Sequence, residues 1–264
     1  MKKYLKLLRF ELKSITRDKI TTVMLVYPAL IVFIGAYVLP LILERFGDDT
    51  LGTKIAAMVM IIIFAALGPF INAALLGFSL LDNRDDNTLD TIRVTPISLR
   101  GYVTFKSVYA YLLSVNASFW IIFLTDKLGQ DAYTFMGSNL FQDFTLLLII
   151  TYALIAGLFT PLFGIFLAAV AKNKIEGFAY MKSSGIIVML PALVVINTMQ
   201  DYKQYFLGIT PIFWPLKGLM TGGNLLENEA NLPPFIYFLI GFIYMIILLI
   251  LSYKVFENKV QQAH

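Results

Sequence analysis

A short polar stretch between two apolar runs carries the densest set of residues that could do chemistry. It contains the aspartates Asp82, Asp85, Asp86 and Asp90 and the arginines Arg84 and Arg93. Clustered carboxylates can hold Mg²⁺ on a diphosphate substrate, and they can also cap a helix that a partner protein recognises. The two arginines lie among the acids, and a second acidic loop is missing, so the pattern favours docking over metal chemistry.

The same stretch predicts a short amphipathic helix. Asp85 or Asp86 can cap its amino end, where acidic side chains are favourable, and Pro96 ends it. Leu89 and Ile92 give the helix an apolar side that another protein must cover, whereas a solvated charged loop is the alternative. The predicted docking residues are Asp82, Arg84, Asp85, Asp86, Thr88, Leu89, Asp90, Ile92 and Arg93.

A second polar connection, at 172–182, offers a smaller contact of the same kind. Ile175 and Phe178 are spaced i, i+3, which places them on one side of a helix, and Lys174 and Glu176 flank them. These four residues are a candidate second contact for a partner. An ordinary basic turn is the alternative.

Several classes of chemistry are excluded by composition. The chain has no cysteine and one histidine, His264, so it lacks thiol nucleophiles, cysteine-ligated metals and Ser-His-Asp triads. It has no Gly-x-x-x-x-Gly-Lys-Ser/Thr loop to bind nucleotide phosphates. We therefore predict no catalytic residue, metal or cofactor in this chain.

The elements that must position these residues are membrane spans. Of 264 residues, 58% are hydrophobic and 14% charged, against about 25% charged in a soluble domain. About 20 apolar residues are needed to cross a bilayer. The sequence predicts an all-α integral membrane protein with a single transmembrane domain of six spans, at 20–43, 55–81, 103–125, 144–171, 183–200 and 234–253. Pro191 makes the fifth span the one expected to be broken or tilted.

The Lys and Arg residues predict the orientation of the spans. All but five of the 21 lie in residues 1–19, the second and fourth connections (where we count Lys106) and the carboxyl-terminal tail. Cytoplasmic loops carry such an excess, so we expect both termini in the cytoplasm. Residues 1–19 also repeat leucines at helical spacing, which predicts an interfacial helix that binds membrane lipids rather than nucleic acid.

Few polar or aromatic residues are candidates for a pathway or gate. None of the predicted spans has a charge in its interior, which argues against ion-coupled transport. Asn72, Asn116 and Asn197 lie at depth, where an interhelical hydrogen bond is the alternative to substrate contact. Phe213 and Trp214 belong to the apolar, Pro- and Gly-broken segment 201–233, which predicts short extracytoplasmic or re-entrant helices.

The sequence resembles the permease subunit of type 2 ATP-binding-cassette (ABC) exporters along essentially its whole length. The opening Phe10-Glu-Leu-Lys-Ser-Ile-Thr-Arg-Asp, running into Tyr27-Pro28, is similar to that family's interfacial helix. The stretch with Thr88-Leu89-Asp90, Thr95-Pro96-Ile-Ser98 and Lys106 resembles the coupling helix that docks into the ATPase. Asn87 stands where the family has glycine, and Asp82 and Asp90 stand where it often has glutamate.

The resemblance implies a half-transporter in the cell membrane of a bacterium. A second permease, identical or paralogous, would complete the pathway, and separate ABC ATPase subunits would bind ATP and Mg²⁺. An uncharged pathway suits a hydrophobic or amphipathic cargo such as a drug, a lipid or a membrane-active peptide toxin. The alternatives are a Mg-dependent prenyltransferase-like enzyme and a non-transporting membrane scaffold or immunity protein.

Overall fold

The computed structural model describes residues 19–45, 50–86, 98–199, 201–226 and 231–262. The predicted interfacial helix at 1–19 falls, except for its last residue, outside this part of the chain. Over the described residues, six helical stretches are long and apolar enough to cross a membrane, in agreement with the predicted number. They are Val26–Arg45, Leu51–Asp85, Leu99–Gly129, Leu146–Val170, Lys174–Val195 and Pro234–Lys259.

The described part of the chain is almost entirely helical. The α-helices are α1 (Lys19–Phe33), α2 (Leu39–Arg45), α3 (Leu51–Asp85), α4 (Leu99–Gly129), α5 (Leu146–Gly157), α6 (Phe159–Val170), α7 (Lys174–Met189), α8 (Phe213–Gly222) and α9 (Pro234–Gln262). A π-helix (Ile34–Val38) joins α1 to α2. Short 3₁₀ helices lie at Gln130–Tyr133, Leu190–Val195, Asn197–Met199 and Tyr202–Ile209.

Prolines accompany the interruptions in three of the spanning stretches. A proline has no N–H to donate to the carbonyl four residues earlier, and its ring crowds that carbonyl. Pro40 follows the π-helix, and Pro161 lies just after the break between α5 and α6 at Leu158. Pro191 begins the 3₁₀ turn that follows α7, which confirms the expected break in the fifth span.

A fourth proline lies inside α3 without interrupting it, because a neighbouring helix replaces the lost hydrogen bond. Pro69 cannot donate to the carbonyl of Ala65. The buried hydroxyl of Tyr152 on α5 donates to that carbonyl instead, at 2.9 Å. Thr160 on α6 donates to the carbonyl of Pro69 itself, also at 2.9 Å. Spanning helices tolerate proline when neighbours satisfy the freed carbonyl, and here the same bonds fix α5 and α6 to α3.

Helix α3 forms the centre of the bundle and packs against α4, α6 and α7. Glycines allow its closest approach, to α6. A Cβ on Gly164 would lie 2.8 Å from the carbonyl oxygen of Ala73, and one on Gly77 would lie 2.7 Å from Leu167. Small residues at such crossings let helix backbones approach closely in a membrane protein.

The largest difference from the predicted span boundaries is at the start of the fifth span. The fifth helix begins at Lys174 rather than at 183, because the Asn173 side chain caps it by accepting the Glu176 N–H at 2.9 Å. Helical structure of that span ends at Val195 rather than at 200. The residues predicted as a second contact therefore lie in the first turns of α7 rather than in a loop.

Among the described residues, a small hairpin departs from helical structure, and the sequence did not predict it. Strands β1 (Thr134–Phe135) and β2 (Ser138–Asn139) pair antiparallel. The turn residues Met136 and Gly137 have φ values of 52° and 77°, and two-residue hairpin turns of type I′ require positive φ at both positions. The strands are too short to leave a pattern in the sequence.

Candidate functional site

Arg84, near the end of α3, closes the carboxyl end of α6. Its guanidinium donates to the carbonyls of Ala168, Ala171 and Lys172 at 3.0, 2.7 and 2.6 Å. The last carbonyls of a helix have no hydrogen-bond donor within the helix, and they carry partial negative charge. A cation with N–H groups there supplies the missing hydrogen bonds and offsets that charge. The Lys259 ammonium of α9 donates to a fourth carbonyl, that of Val170, at 3.0 Å.

The start of α7 is held by the aspartates of α3. The Lys174 ammonium lies 2.8 Å from Oδ2 of Asp82, and the Lys174 backbone N–H donates to Oδ2 of Asp85 at 3.2 Å. Glu176 closes the same turn by accepting the Lys172 N–H at 2.8 Å. Asp82 and Asp85, at the described start of one polar connection, therefore form one cluster with residues 172–176 of the other.

Apolar packing beneath the charges fixes α7 on α3. The rings of Phe78 and Phe178 lie with their centroids 4.3 Å apart. Gly177 approaches Leu81 so closely that a Cβ there would lie 2.7 Å from the Leu81 side chain. Movement of the first turns of α7 must therefore be shared by the end of α3.

The outer side of this cluster exposes apolar side chains beside acidic ones. Ile175 is 82% exposed and Phe178 is 50% exposed, while Asp85 and Asp86 are also exposed. We call these four residues the docking surface. Neighbouring exposed apolar side chains, as at Ile175 and Phe178, are the feature that marks contact surfaces, whereas a single exposed apolar residue is common.

Five residues of the predicted coupling helix, which would continue the docking surface, lie outside the described residues. They are Thr88, Leu89, Asp90, Ile92 and Arg93. The described acids do not resemble a metal site, because Asp82 and Asp85 are engaged by Lys174 and Arg84. In the part of the chain that the structure describes, no group of three His, Asp or Glu residues could hold a metal ion.

Two of the asparagines predicted at depth have clear positions. Asn72 is buried, and its amide donates to the hydroxyl of Tyr27 at 2.6 Å and to the carbonyl of Gly68 at 3.2 Å. It therefore makes the interhelical hydrogen bond that was the alternative to a pathway role. Asn116 is exposed on the outer side of α4, and the side chain of Asn197 lies outside the described residues.

Phe213 and Trp214 hold two short helices together. Phe213 is completely buried, and its ring meets the Trp214 ring edge-on at 5.3 Å. The Trp214 indole N–H donates to the carbonyl of Gly208 at 2.9 Å and so ties α8 to the preceding 3₁₀ helix. Both residues occupy packing positions within the chain in this structure.

Two buried lysines were missed as features of the sequence. Lys106, counted with the second connection, lies two turns inside α4, where its ammonium donates to the hydroxyl of Ser79 at 2.5 Å. Lys217 of α8 is completely buried; its ammonium has no hydrogen-bond partner among the described residues and lies 5.9 Å from the centre of the Tyr237 ring. This burial lowers the pKa of Lys217 to about 8. Its apolar neighbours Leu216, Leu219 and Met220 were the available signal.

Six helical stretches of membrane-spanning length, among them α3 with its contacts to α4, α6 and α7, define a multi-pass helical membrane protein. At its charged end, the described residues of α3, α6 and α7 are joined by hydrogen bonds and an ion pair. The chain belongs to the family described as fluoroquinolones export permease protein Rv2686c-like, whose sequence model matches residues 11–253. This confirms the expected resemblance to an export permease.

Two relatives from Mycobacterium tuberculosis agree with the family assignment. Strain H37Rv has the fluoroquinolones export permease protein Rv2686c, and strain CDC 1551 has the protein named MT2760. The chain is similar to each, with 23% identity over 221 residues, which cover 82% of this chain and 81% of the relative.

Proposed function

We propose that this chain is the membrane-spanning subunit of an ATP-driven ABC exporter of the type 2 class, and that a separate ATPase subunit docks at Asp85, Asp86, Ile175 and Phe178. The observation that carries the proposal is the exposed Ile175, held by an ion-paired cluster at the end of the bundle. Together with the half-exposed Phe178, it would give a partner an apolar contact flanked by the exposed acids Asp85 and Asp86. The family is one of export permeases, which supports a transport role. The sequence has no nucleotide-binding loop, so in this proposal a separate subunit binds the ATP.

The geometry suggests how a push from the ATPase would reach the bundle. A partner that binds ATP and Mg²⁺ and changes shape would displace the docking surface and, through Lys174 and Asp82, the ends of α3 and α7 together. Arg84 extends the connection to α6, and α3 lies at the centre of the bundle. The push is therefore transmitted to several spans rather than absorbed in a flexible loop.

The pathway would form between this chain and a second permease, identical or paralogous. The spans expose mainly apolar side chains, so the cargo we propose is hydrophobic or amphipathic. The names of the two relatives make a fluoroquinolone drug the first substrate to test. Lipids and membrane-active peptides are the next substrate classes to test for export.

Co-purification with the ATPase tests the docking surface. The change is Ile175→Asp, which places a charge in the proposed contact. The matched control is Met136→Asp, which adds the same charge at a residue 60% exposed on the hairpin at the opposite end of α4. We expect Ile175→Asp to lose at least about tenfold of the bound ATPase, as buried interface residues commonly do, and Met136→Asp to retain it.

The same variants test transport. Membrane vesicles with the intact complex should export a fluorescent fluoroquinolone when ATP is added, and Ile175→Asp should abolish that export. Full ATPase binding and export by Ile175→Asp would refute the docking surface. ATP-independent export by the purified chain alone would refute the assignment to an ABC exporter.

A further inference from the structure

A groove on the flank of the bundle lies apart from the docking surface. It encloses about 540 Å³ between α4, α6 and α9. Pro161 and Ile165 of α6 form its floor, Val108 of α4 forms one wall, and Leu249 and Ile250 of α9 form the other. Val108 and Ile250 are 52% and 53% exposed, so the groove is open along the outer surface of the chain.

One end of the groove is charged. Arg100, Lys254 and Glu257 line it, together with the exposed Thr104. Arg100 donates to the carboxylate of Glu257, which neutralises one of the two cations. Lys254 makes no hydrogen bond or ion pair with the described residues. The charged end therefore retains one uncompensated positive charge beside an unpaired threonine hydroxyl.

The other end of the groove has the opposite character. Below Thr104 and Tyr253, its lining consists of aliphatic side chains, Ser107 and the ring of Tyr111. The two hydroxyls are already bonded within the chain, that of Ser107 to the carbonyl of Val103 at 2.7 Å and that of Tyr111 to the carbonyl of Leu154 at 3.1 Å. A ligand that fits both ends has an anionic head and an apolar tail. Grooves between spans that carry basic residues at one end are typical binding sites for acidic lipid headgroups.

The geometry points to a binding site for one anionic phospholipid, with its phosphate at Lys254 and Arg100 and an acyl chain along Val108, Ile165 and Ile250. The positive charge of Lys254 selects the anionic head. The amino end of α4, beside Arg100, adds partial positive charge. A free inorganic anion would use only the charged end and would leave the apolar floor uncovered, whereas an acyl chain covers it.

This site does not depend on the proposed function. The groove takes its lining from α4, α6 and α9, and none of the four docking residues belongs to it. A bound lipid would bridge α4 and α9 across α6 and so brace the spans that carry these helices. An exporter and a non-transporting scaffold could both hold it, which keeps the two proposals separable.

Native mass spectrometry of the purified chain tests the site. The probes are phosphatidylglycerol and phosphatidylcholine with the same acyl chains, added in turn. We expect wild-type protein to bind phosphatidylglycerol in preference to phosphatidylcholine. Lys254→Ala should lower this preference about fivefold, the effect of one basic residue near an acidic headgroup. Lys254 makes no internal bond, so the variant should fold normally.

Two further variants separate the parts of the site. Lys182→Ala removes an exposed lysine of α7, also without a partner among the described residues, and should leave the preference unchanged. Val108→Trp fills the groove and should reduce the bound amount of both lipids. Equal binding of the two lipids by wild type, or equal effects of Lys254→Ala and Lys182→Ala, overturns the proposal. Displacement of phosphatidylglycerol by millimolar inorganic phosphate would show an ion site instead and overturns it too.

Discussion

The Lys174 ammonium lies 2.8 Å from a carboxylate oxygen of Asp82, across 92 residues of sequence. Both side chains are a little under half exposed, so the pair itself contributes only about 0.2–1 kcal/mol to stability. Its importance is geometric, because it sets the position of Ile175 relative to the end of α3. The pair connects the two polar stretches that the sequence predicts as contacts.

Reversing the charge of Lys174 should disturb docking more than folding. Lys174→Asp places two carboxylates together, and we expect ATPase association to fall several-fold while the melting temperature changes little. The double variant Asp82→Lys with Lys174→Asp restores an ion pair and should recover most of the association. A double variant as weak as the single one would show that the pair does not position the docking surface.

Arg84 should matter for stability because its guanidinium donates to three backbone carbonyls at the carboxyl end of α6. Arg84→Met should lower the free energy of unfolding in detergent by about 1–3 kcal/mol. Arg84→Lys should lose less of the free energy of unfolding than Arg84→Met does, but it should not reach the wild-type value. An ammonium cannot reach separate carbonyls as a planar guanidinium does. Lys172→Met is the control, because its exposed side chain makes no bond with the described residues. Equal melting temperatures for all three variants would contradict this role.

Asn72 and Tyr27 should behave as a structural pair. Asn72→Leu and Tyr27→Phe each break the hydrogen bond between α1 and α3, and a double-mutant cycle should give a coupling of about 1 kcal/mol. Transport per folded molecule should then be unchanged. A change in substrate preference by Asn72→Leu, at full stability, would instead place this residue in the pathway.

Lys217 should make stability depend on alkaline pH. Its folded pKa is lowered from 10.5 to about 8, so between these values the unfolded chain holds more protons than the folded one. Stability therefore rises as the pH increases from 8 to 10.5, and below pH 8 the full cost of the buried charge remains. Lys217→Met should stabilise the protein on the order of 1–3 kcal/mol at pH 7 and flatten this rise. Thermal unfolding at several pH values, with the exposed Lys203→Met as control, measures both effects.

The predicted orientation can be measured without background labelling, because the chain has no cysteine. Ile175→Cys should react with a membrane-impermeant maleimide only from the cytoplasmic side, and Ile209→Cys only from outside. Both isoleucines are more than three-quarters exposed, so a difference in labelling reports the side of the membrane rather than burial. Labelling of both from one side would overturn the orientation.

The number and approximate position of the spans follow from the sequence alone. A helix that crosses a bilayer must be long and uncharged, and this requirement concerns only its own residues. Each apolar run can therefore be recognised as a span without knowledge of the neighbouring segments. The break beside Pro191 is local for the same reason. The start of α7 was placed too late because Lys174, Glu176 and Lys182 interrupt the apolar run, although the Asn173 cap could have marked it.

Only the tertiary structure decided how the polar residues are used. Spacing showed that Asp82 and Lys174 each lie beside a span, but the approach of α3 to α7 brings them together. The partners of Arg84 are backbone carbonyls, which every residue has, so no pattern of side chains could identify them. Lys217 was counted as a loop charge, and the packing of α8 against α9 buries it. The sequence thus determined which segments enter the membrane, because that depends on local hydrophobicity. The fold determined which charges are paired, buried or left free, because that depends on contacts between distant segments.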